Sequence, residues 1–215
     1  MNMKLYLITD RASSGGRTHV KIMRAAIAAG GSCIQLRDKK VSDSVFYREA
    51  LALRELTANM GVRFIVNDRI HVALAIGADG VHVGQDDMPA KVVRKLIGLD
   101  MILGVSTHCL EQAEAAIKAG ADYIGVGPVY PTQTKEDVCA AVGLDYVRQV
   151  KENFEIPFVA IGGIKVHNVA DVIMAGANNI AAVSEIVTAE DPGRAVSDML
   201  TEIDKAMVRR SSHTG

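Results

Sequence analysis

The sequence predicts an α/β protein of one domain, a parallel (β/α)8 TIM barrel, and three observations carry that reading. The first is an internal repeat: AAIAAGGSCIQL (25–36), ALAIGADGVHV (73–83), AAIKAGADYIGV (115–126) and VIMAGANNIAAV (172–183) resemble one another. Each reads as a helix end, a glycine stop and a short apolar strand, because a helix stop in the left-handed region favours a residue without a Cβ. The second is spacing: Ile34, Val81, Ile124 and Ile180 lie 47, 43 and 56 residues apart, room for two βα units each time. The third is that an extra apolar run falls in every interval, so four double units become eight.

Taken in order, the intervening runs are LYLIT (5–9), RFIVN (63–67), MILGVS (101–106) and PFVAIG (157–162). They are apolar almost throughout, as strands buried on both faces should be. Helical patterns are expected over 19–29, 43–59, 69–76, 89–97, 110–119, 143–153, 166–175 and 192–208. Strict alternation implies a parallel sheet with covering helices. Eight units built on a repeat favour closure into a barrel over an open doubly wound sheet. The barrel is expected to occupy 1–208, and the polar RRSSHTG (209–215) to be a disordered tail.

Composition narrows the function. The 215 residues are 49% apolar but only 4% aromatic and lack Trp, so Ala, Val, Ile, Leu and Met are expected to fill the interior. A formal net charge of -1 offers no broad cationic platform for nucleic acid or an anionic membrane. The start MNMKLYLITD has too short an apolar run for a secretory segment, and no run is long enough to span a bilayer. Cys33, Cys109 and Cys139 lie far apart with no metal-ligand spacing, which points to a reducing compartment, the cytoplasm by default.

Barrels of this kind place their chemistry at the C-terminal strand ends. Strand 2 ends in Gln35, Leu36, Arg37, Asp38 and Lys39. Alternation turns Leu36 toward the helices and Gln35 and Arg37 toward the mouth. Arg37 and Lys39 suit an anion clamp, joined by Asn67 and Lys135; the alternative is a structural pair of Arg37 with Asp38 or Asp10. Asp68 and Asp87 follow strands 3 and 4 and suit a hard cation such as Mg2+, which takes one or two carboxylates with phosphate oxygens and water. Helix capping is the competing explanation for them. Strand 6 leads into GPVYPTQTK (127–135), where two prolines stiffen a loop bearing Thr132, Gln133, Thr134 and Lys135, and EDVCAAVG beyond it would suit a lid. After strands 7 and 8, AIGGI (160–164) and AAVSEI (181–186) supply Gly162, Gly163 and Ser184 where such barrels usually hold a phosphate monoester. His71, His82 and His108 share no metal spacing and read as structural. An anion clamp with a cation facing a monophosphate cradle implies transfer between a diphosphate donor and a phosphorylated acceptor.

On LYLITD, QLRDK, FIVNDRIHVALAIGADGVHVGQDD, GVSTH, GADYIGVGPVYPTQTK, AIGGI and AAVSEI, in that order from residue 5 to residue 186, the chain resembles the thiamine phosphate synthase family. The resemblance implies joining 4-amino-2-methyl-5-(diphosphooxymethyl)pyrimidine to a thiazole phosphate, giving thiamine phosphate and diphosphate. It implies that Gln35, Arg37, Lys39 and Asn67 hold the pyrimidine diphosphate and that Asp68 and Asp87 bind Mg2+. Ser106 would contact the pyrimidine, and Lys135 the diphosphate. Thr132, Gln133, Thr134, Gly163, Val183 and Ser184 would contact the thiazole phosphate. Arg37, Lys39 and Lys135 are the expected catalytic charges, the partners are small molecules, and the family allows homo-oligomers. A thiazole tautomerase-like paralogue would not need the diphosphate clamp. A phosphosugar isomerase or epimerase would turn over one phosphorylated substrate without releasing diphosphate, and a non-catalytic barrel would bind phosphates without product. The chain departs from the family pattern at AGANNIAAVSEI, where Glu185 brings a carboxylate beside the expected cradle.

Overall fold

The computed structural model describes residues 3–132 and 140–213. Its strands are β1 (Leu5–Ile8), β2 (Cys33–Leu36), β3 (Arg63–Asn67), β4 (Gly80–Val83), β5 (Ile102–Thr107), β6 (Tyr123–Val126), β7 (Phe158–Ala160) and β8 (Asn179–Ala182). All pair in parallel in sequence order, and β8 returns to β1 through Leu5↔Ile180, Tyr6↔Ala181 and Leu7↔Ala182. The barrel is therefore closed, and the open-sheet alternative is excluded. The helices are α1 (His19–Ala28), α2 (Asp43–Met60), α3 (Ile70–Ile76), α4 (Ala90–Ile97), α5 (Leu110–Lys118), α6 (Gly143–Asn153), α7 (Val169–Met174), α8 (Ser184–Val187) and α9 (Pro192–His213). The four repeat glycines, Gly30, Gly77, Gly120 and Gly176, all have positive φ, as their place at helix stops requires. None of the helices of the described residues is long and apolar enough to cross a membrane.

Alternation along each strand divides the apolar residues into two cores. Leu5, Leu7, Ile34, Leu36, Phe64, Val66, Val81 and Val83 belong to the outer one, packed with helix residues such as Ile22, Phe46, Leu53 and Val172. Met3, Tyr6, Ile8, Cys33, Ile65, Tyr123, Val159 and Ala181 fill the lumen. Two tyrosines thus stand at the centre of a chain whose composition pointed to aliphatic filling. Eight strands leave a lumen that bulky side chains can fill, and the two phenol groups bond to each other at 2.8 Å.

At the bottom of the barrel, Asn179 accepts from the Met3 amide at 3.1 Å and donates to the Phe158 carbonyl at 3.0 Å. Asn179 thus fastens the floor of the barrel, away from the mouth. The C-terminal segment corrects an expectation: α9 continues through residues 209–213, read from their polarity as a disordered tail. Arg210 donates to the Ile173 and Ala177 carbonyls at 2.6 and 2.9 Å, so a polar stretch is tied down by backbone acceptors on a neighbouring helix end.

Candidate active site

The strand exits enclose a pocket of about 210 Å³ at the C-terminal mouth, walled on one side by Arg37, Lys39, Asn67, Asp68 and Asp87 and on the other by Thr132, Gly162, Gly163, Val183 and Ser184. The two groups of polar residues read from the sequence as separate anion sites therefore face each other across one cavity. Ser106 and His108, from β5 and the turn after it, also line it.

The β2 exit is held from β1. The Arg37 amide donates to Thr9 Oγ1 at 2.9 Å, and that hydroxyl donates back to the Arg37 carbonyl at 3.2 Å. Thr9 is fully buried, so it fixes the backbone from which Arg37 reaches the pocket. Two residues grouped with the clamp point elsewhere. Leu36 lies in the outer core, as alternation predicted for its side chain. Asp38 binds Arg11 Nε at 2.5 Å and accepts from the Lys40 amide at 3.1 Å. Although burial works to raise it, the Arg11 contact and the Lys40 amide hold the Asp38 carboxyl below its ordinary value. The structural pair is thus Arg11–Asp38, and Arg37 is left to the pocket. Gln35 sits below the mouth, donating from Nε2 to the Tyr6 oxygen at 2.9 Å.

Asp68 occupies the left-handed region, with φ 60, unusual for a residue with a side chain and frequent at functional sites. Its amide donates to the His82 carbonyl on the next strand at 2.9 Å. Lys39 Nζ stands 3.1 Å from Asp68 Oδ2 and 3.5 Å from Asp87 Oδ1. Asp87 also accepts from the Gly84 amide at 2.7 Å. Neither carboxylate caps a helix: the residues at the caps of α3 and α4 are Arg69 and Pro89, with no side-chain cap bond. Burial, then the contact with Asp87, raises Asp68 to about 6. Burial would raise Asp87 too, but the bonds from Asp68, Gly84 and Lys39 hold it low. Burial opposes the charge of Lys39, and Asp68 and Asp87 outweigh it, holding its ammonium above the usual range. Two carboxylates crowded enough to contend for a proton are a donor set for a hard divalent cation. No cluster of three His, Cys, Asp or Glu side chains occurs among the described residues, so phosphate oxygens and water would complete the shell.

Across the pocket, β7 ends in Gly162 and Gly163, both with positive φ. A Cβ on Gly163 would lie 2.7 Å from the Pro131 carbonyl oxygen, so only glycine lets the β6 and β7 exits approach this closely. β8 turns directly into the four-residue helix α8, and Ser184 Oγ accepts from Lys165 Nζ at 3.0 Å. The same ammonium lies 3.0 Å from Glu185 Oε2, and Glu185 Oε1 accepts from the Val166 amide at 3.2 Å. Glu185 is not among the residues lining the pocket, and its charge is balanced by Lys165. Gln133, Thr134 and Lys135 lie outside the described residues.

His108 was read as structural, yet it lines the pocket, donating from Nδ1 to the Gly127 carbonyl at 2.5 Å. A lone histidine after a strand carries no spacing signal, and only the neighbouring exit shows where it stands.

The thiamine monophosphate synthase family model matches residues 5–186. The chain belongs to that family. A thiamine-phosphate synthase of Shouchella clausii is 53% identical over 203 residues, 94% of this chain and 97% of that protein. One of Chloroflexus aurantiacus is 51% identical over 191 residues, covering 89% and 88%. Among solved structures, thiamine phosphate pyrophosphorylase from Pyrococcus furiosus superimposes with a TM-score of 0.87 at 38% identity, over 95% of this chain and 97% of that one. The native KDPGal structure, at 16% identity and a TM-score of 0.73, shares the fold alone. The family match ends at α8, so α9 is a final cover outside the matched segment.

Proposed function

We propose that this protein joins 4-amino-2-methyl-5-(diphosphooxymethyl)pyrimidine to a thiazole phosphate, releasing diphosphate and forming thiamine phosphate. The observation that carries the proposal is the single pocket with a cationic, carboxylate-bearing wall at Lys39, Asp68 and Asp87 facing the Gly163–Ser184 cradle. Membership of the thiamine monophosphate synthase family and full-length relatives of that activity support it.

The pyrimidine diphosphate lies with its phosphates against Arg37 and Lys39, and Lys135 is assigned a third charge contact to them. Asp68 and Asp87 would hold Mg2+, which would supply further neutralisation of the diphosphate charge. The bond between the methylene carbon and the bridging oxygen breaks with its electron pair going to diphosphate, and the aminopyrimidine ring delocalises the positive charge left behind. The thiazole nitrogen then gives its lone pair to that carbon. Asn67 and Ser106 hold the pyrimidine, while Thr132, Gln133, Thr134, Gly163, Val183 and Ser184 hold the thiazole phosphate. No protein nucleophile is required; positioning and charge stabilisation at the leaving group supply the rate. Lys39 and the carboxylate pair have no task in a thiazole tautomerase. Burial pushes the Cys33 thiol well up and keeps it protonated, so it is no candidate nucleophile.

The test is a two-substrate assay on the purified chain. Diphosphate is expected only when both substrates and Mg2+ are present, in amounts equal to the thiamine phosphate formed. Absence of thiamine phosphate from that mixture ends the synthase reading.

A further inference from the structure

Below the mouth, five lumen side chains from five strands form one unbroken hydrogen-bonded column. Gln35 Nε2 donates to the Tyr6 oxygen at 2.9 Å, and the Tyr6 and Tyr123 hydroxyls bond at 2.8 Å. Tyr123 meets His82 Nδ1 at 2.9 Å, and His82 Nε2 meets Ser106 Oγ at 2.9 Å. Space for the column is built into the strands. A Cβ on Gly104 would fall 2.4 Å from the Tyr123 hydroxyl and 2.5 Å from His82 Nδ1. A small cavity beside the column shares Asn67, Ser106, Gly125, Ile161 and Ala181 with the active-site pocket, so the column ends at the pocket floor.

The direction of the column follows from counting protons. Each phenol carries one, and burial, first among the causes, holds both far above the ordinary phenol value. The Tyr6 oxygen already accepts from Gln35, so the Tyr6 proton has only the Tyr123 oxygen to go to. The Tyr123 proton must then go to His82 Nδ1. A neutral imidazole whose Nδ1 accepts carries its proton on Nε2, and Nε2 donates to Ser106 Oγ. With Gln35 Nε2 turned toward Tyr6, the opposite direction would strand the Tyr6 proton in the lumen, an expensive place for an unmet donor.

We propose that His82 is a positioning residue, fixed as the Nε2–H tautomer by the Gln35–Tyr6–Tyr123 column, and that it holds Ser106 Oγ so that the serine proton points into the pocket. Ser106 then presents a donor of set direction to a substrate ring. The consequence for turnover rests on the synthase reading; the tautomer does not. Since Arg37 and Lys39 bind the diphosphate independently, loosening the column should cost orientation at the reacting carbon more than substrate affinity.

The experiment pairs nuclear magnetic resonance with kinetics. In wild-type protein labelled with nitrogen-15 histidine, long-range proton–nitrogen correlations should show His82 protonated on Nε2 alone at neutral pH. In Tyr123→Phe, which removes the hydroxyl feeding Nδ1, the tautomers should mix. Its kcat should fall about tenfold, with KM for the pyrimidine diphosphate within about twofold of wild type. Tyr6→Phe should give the same change to a smaller degree. A thermal melt checks that each variant is folded, and the wild-type spectrum decides the tautomer even if one is not. An Nδ1–H or doubly protonated His82 in the wild type overturns the column's direction. Wild-type kcat in folded Tyr123→Phe overturns the positioning role. A wild type that makes no thiamine phosphate defeats the synthase reading instead, and the spectrum still decides the tautomer.

Discussion

Lys39, Asp68 and Asp87 show how little room a charged site leaves for adjustment. Two carboxylates share one ammonium, and Asp68 is raised to about 6, chiefly by burial. A raised carboxyl means that the folded chain holds this proton more tightly than the unfolded chain does. Between the ordinary carboxylate value and about 6, the contribution of Asp68 to stability therefore falls as pH rises when no cation is bound. A divalent cation held by the proposed pair would compete with the same proton. The rise in Tm on adding Mg2+ should accordingly be small at about pH 5 and clearly larger at about pH 7, and Asp68→Asn should flatten that dependence in a thermal-melt series. On the kinetic side, Arg37→Ala and Lys135→Ala should each slow turnover at least about tenfold, the equivalent of ~1.4 kcal/mol of transition-state stabilisation. Wild-type rates in both would show that the clamp is elsewhere.

Among the elements, the exits of β6, β7 and β8 depend on close backbone approach. With φ of +64 and a Cβ position 2.7 Å from the Pro131 oxygen, Gly163 has no space for a side chain. Gly163→Ala should raise KM for the thiazole phosphate about tenfold while leaving that for the pyrimidine diphosphate near wild type, as steady-state kinetics with each substrate varied will show. The turn after β7 also settles the question raised by Glu185. Lys165 reaches both Ser184 and Glu185, so the carboxylate beside the cradle is neutralised and faces the loop. Lys165→Ala leaves that charge unbalanced and should also raise KM for the thiazole phosphate, an effect that adding Glu185→Gln should partly reverse. Motif spacing gave no means of finding Lys165, because its importance lies in which neighbour it neutralises.

At the scale of the whole molecule, the barrel rests on two concentric cores with different tasks. The outer core joins strands to helices, and Leu53 of α2 is fully buried in it. Leu53→Ala should cost ~2–5 kcal/mol in denaturant titration and leave both KM values unchanged, because the site is carried by strand exits on the far side of this layer. The lumen core is smaller and partly polar, and it connects to the pocket floor. Stability and positioning are therefore served by different faces of the same strands.

Most of the fold was legible in the chain because its signals are local. Glycine stops, apolar runs and the 3.6-residue period placed eight βα units, and the exits that follow them contain Arg37, Lys39, Asp68, Asp87, Gly163 and Ser184, which the pocket brings together. Composition misjudged one place. Polarity marked 209–215 as a tail, whereas 209–213 is helix, tied through Arg210 to backbone acceptors at a neighbouring helix end. Scarce aromatics pointed to an aliphatic interior, which the buried residues bear out, although two tyrosines stand in the lumen. What only the tertiary structure decided is contact across the barrel. Residues 6, 35, 82, 106 and 123 share no period or motif, yet closure of the sheet stacks them into one column. The same holds for Arg11 taking Asp38 and Lys165 taking Glu185. Hydrophobic period is a property of a segment and can be read along it; the pairing of polar groups is a property of the closed barrel, and exists only once the strands have met.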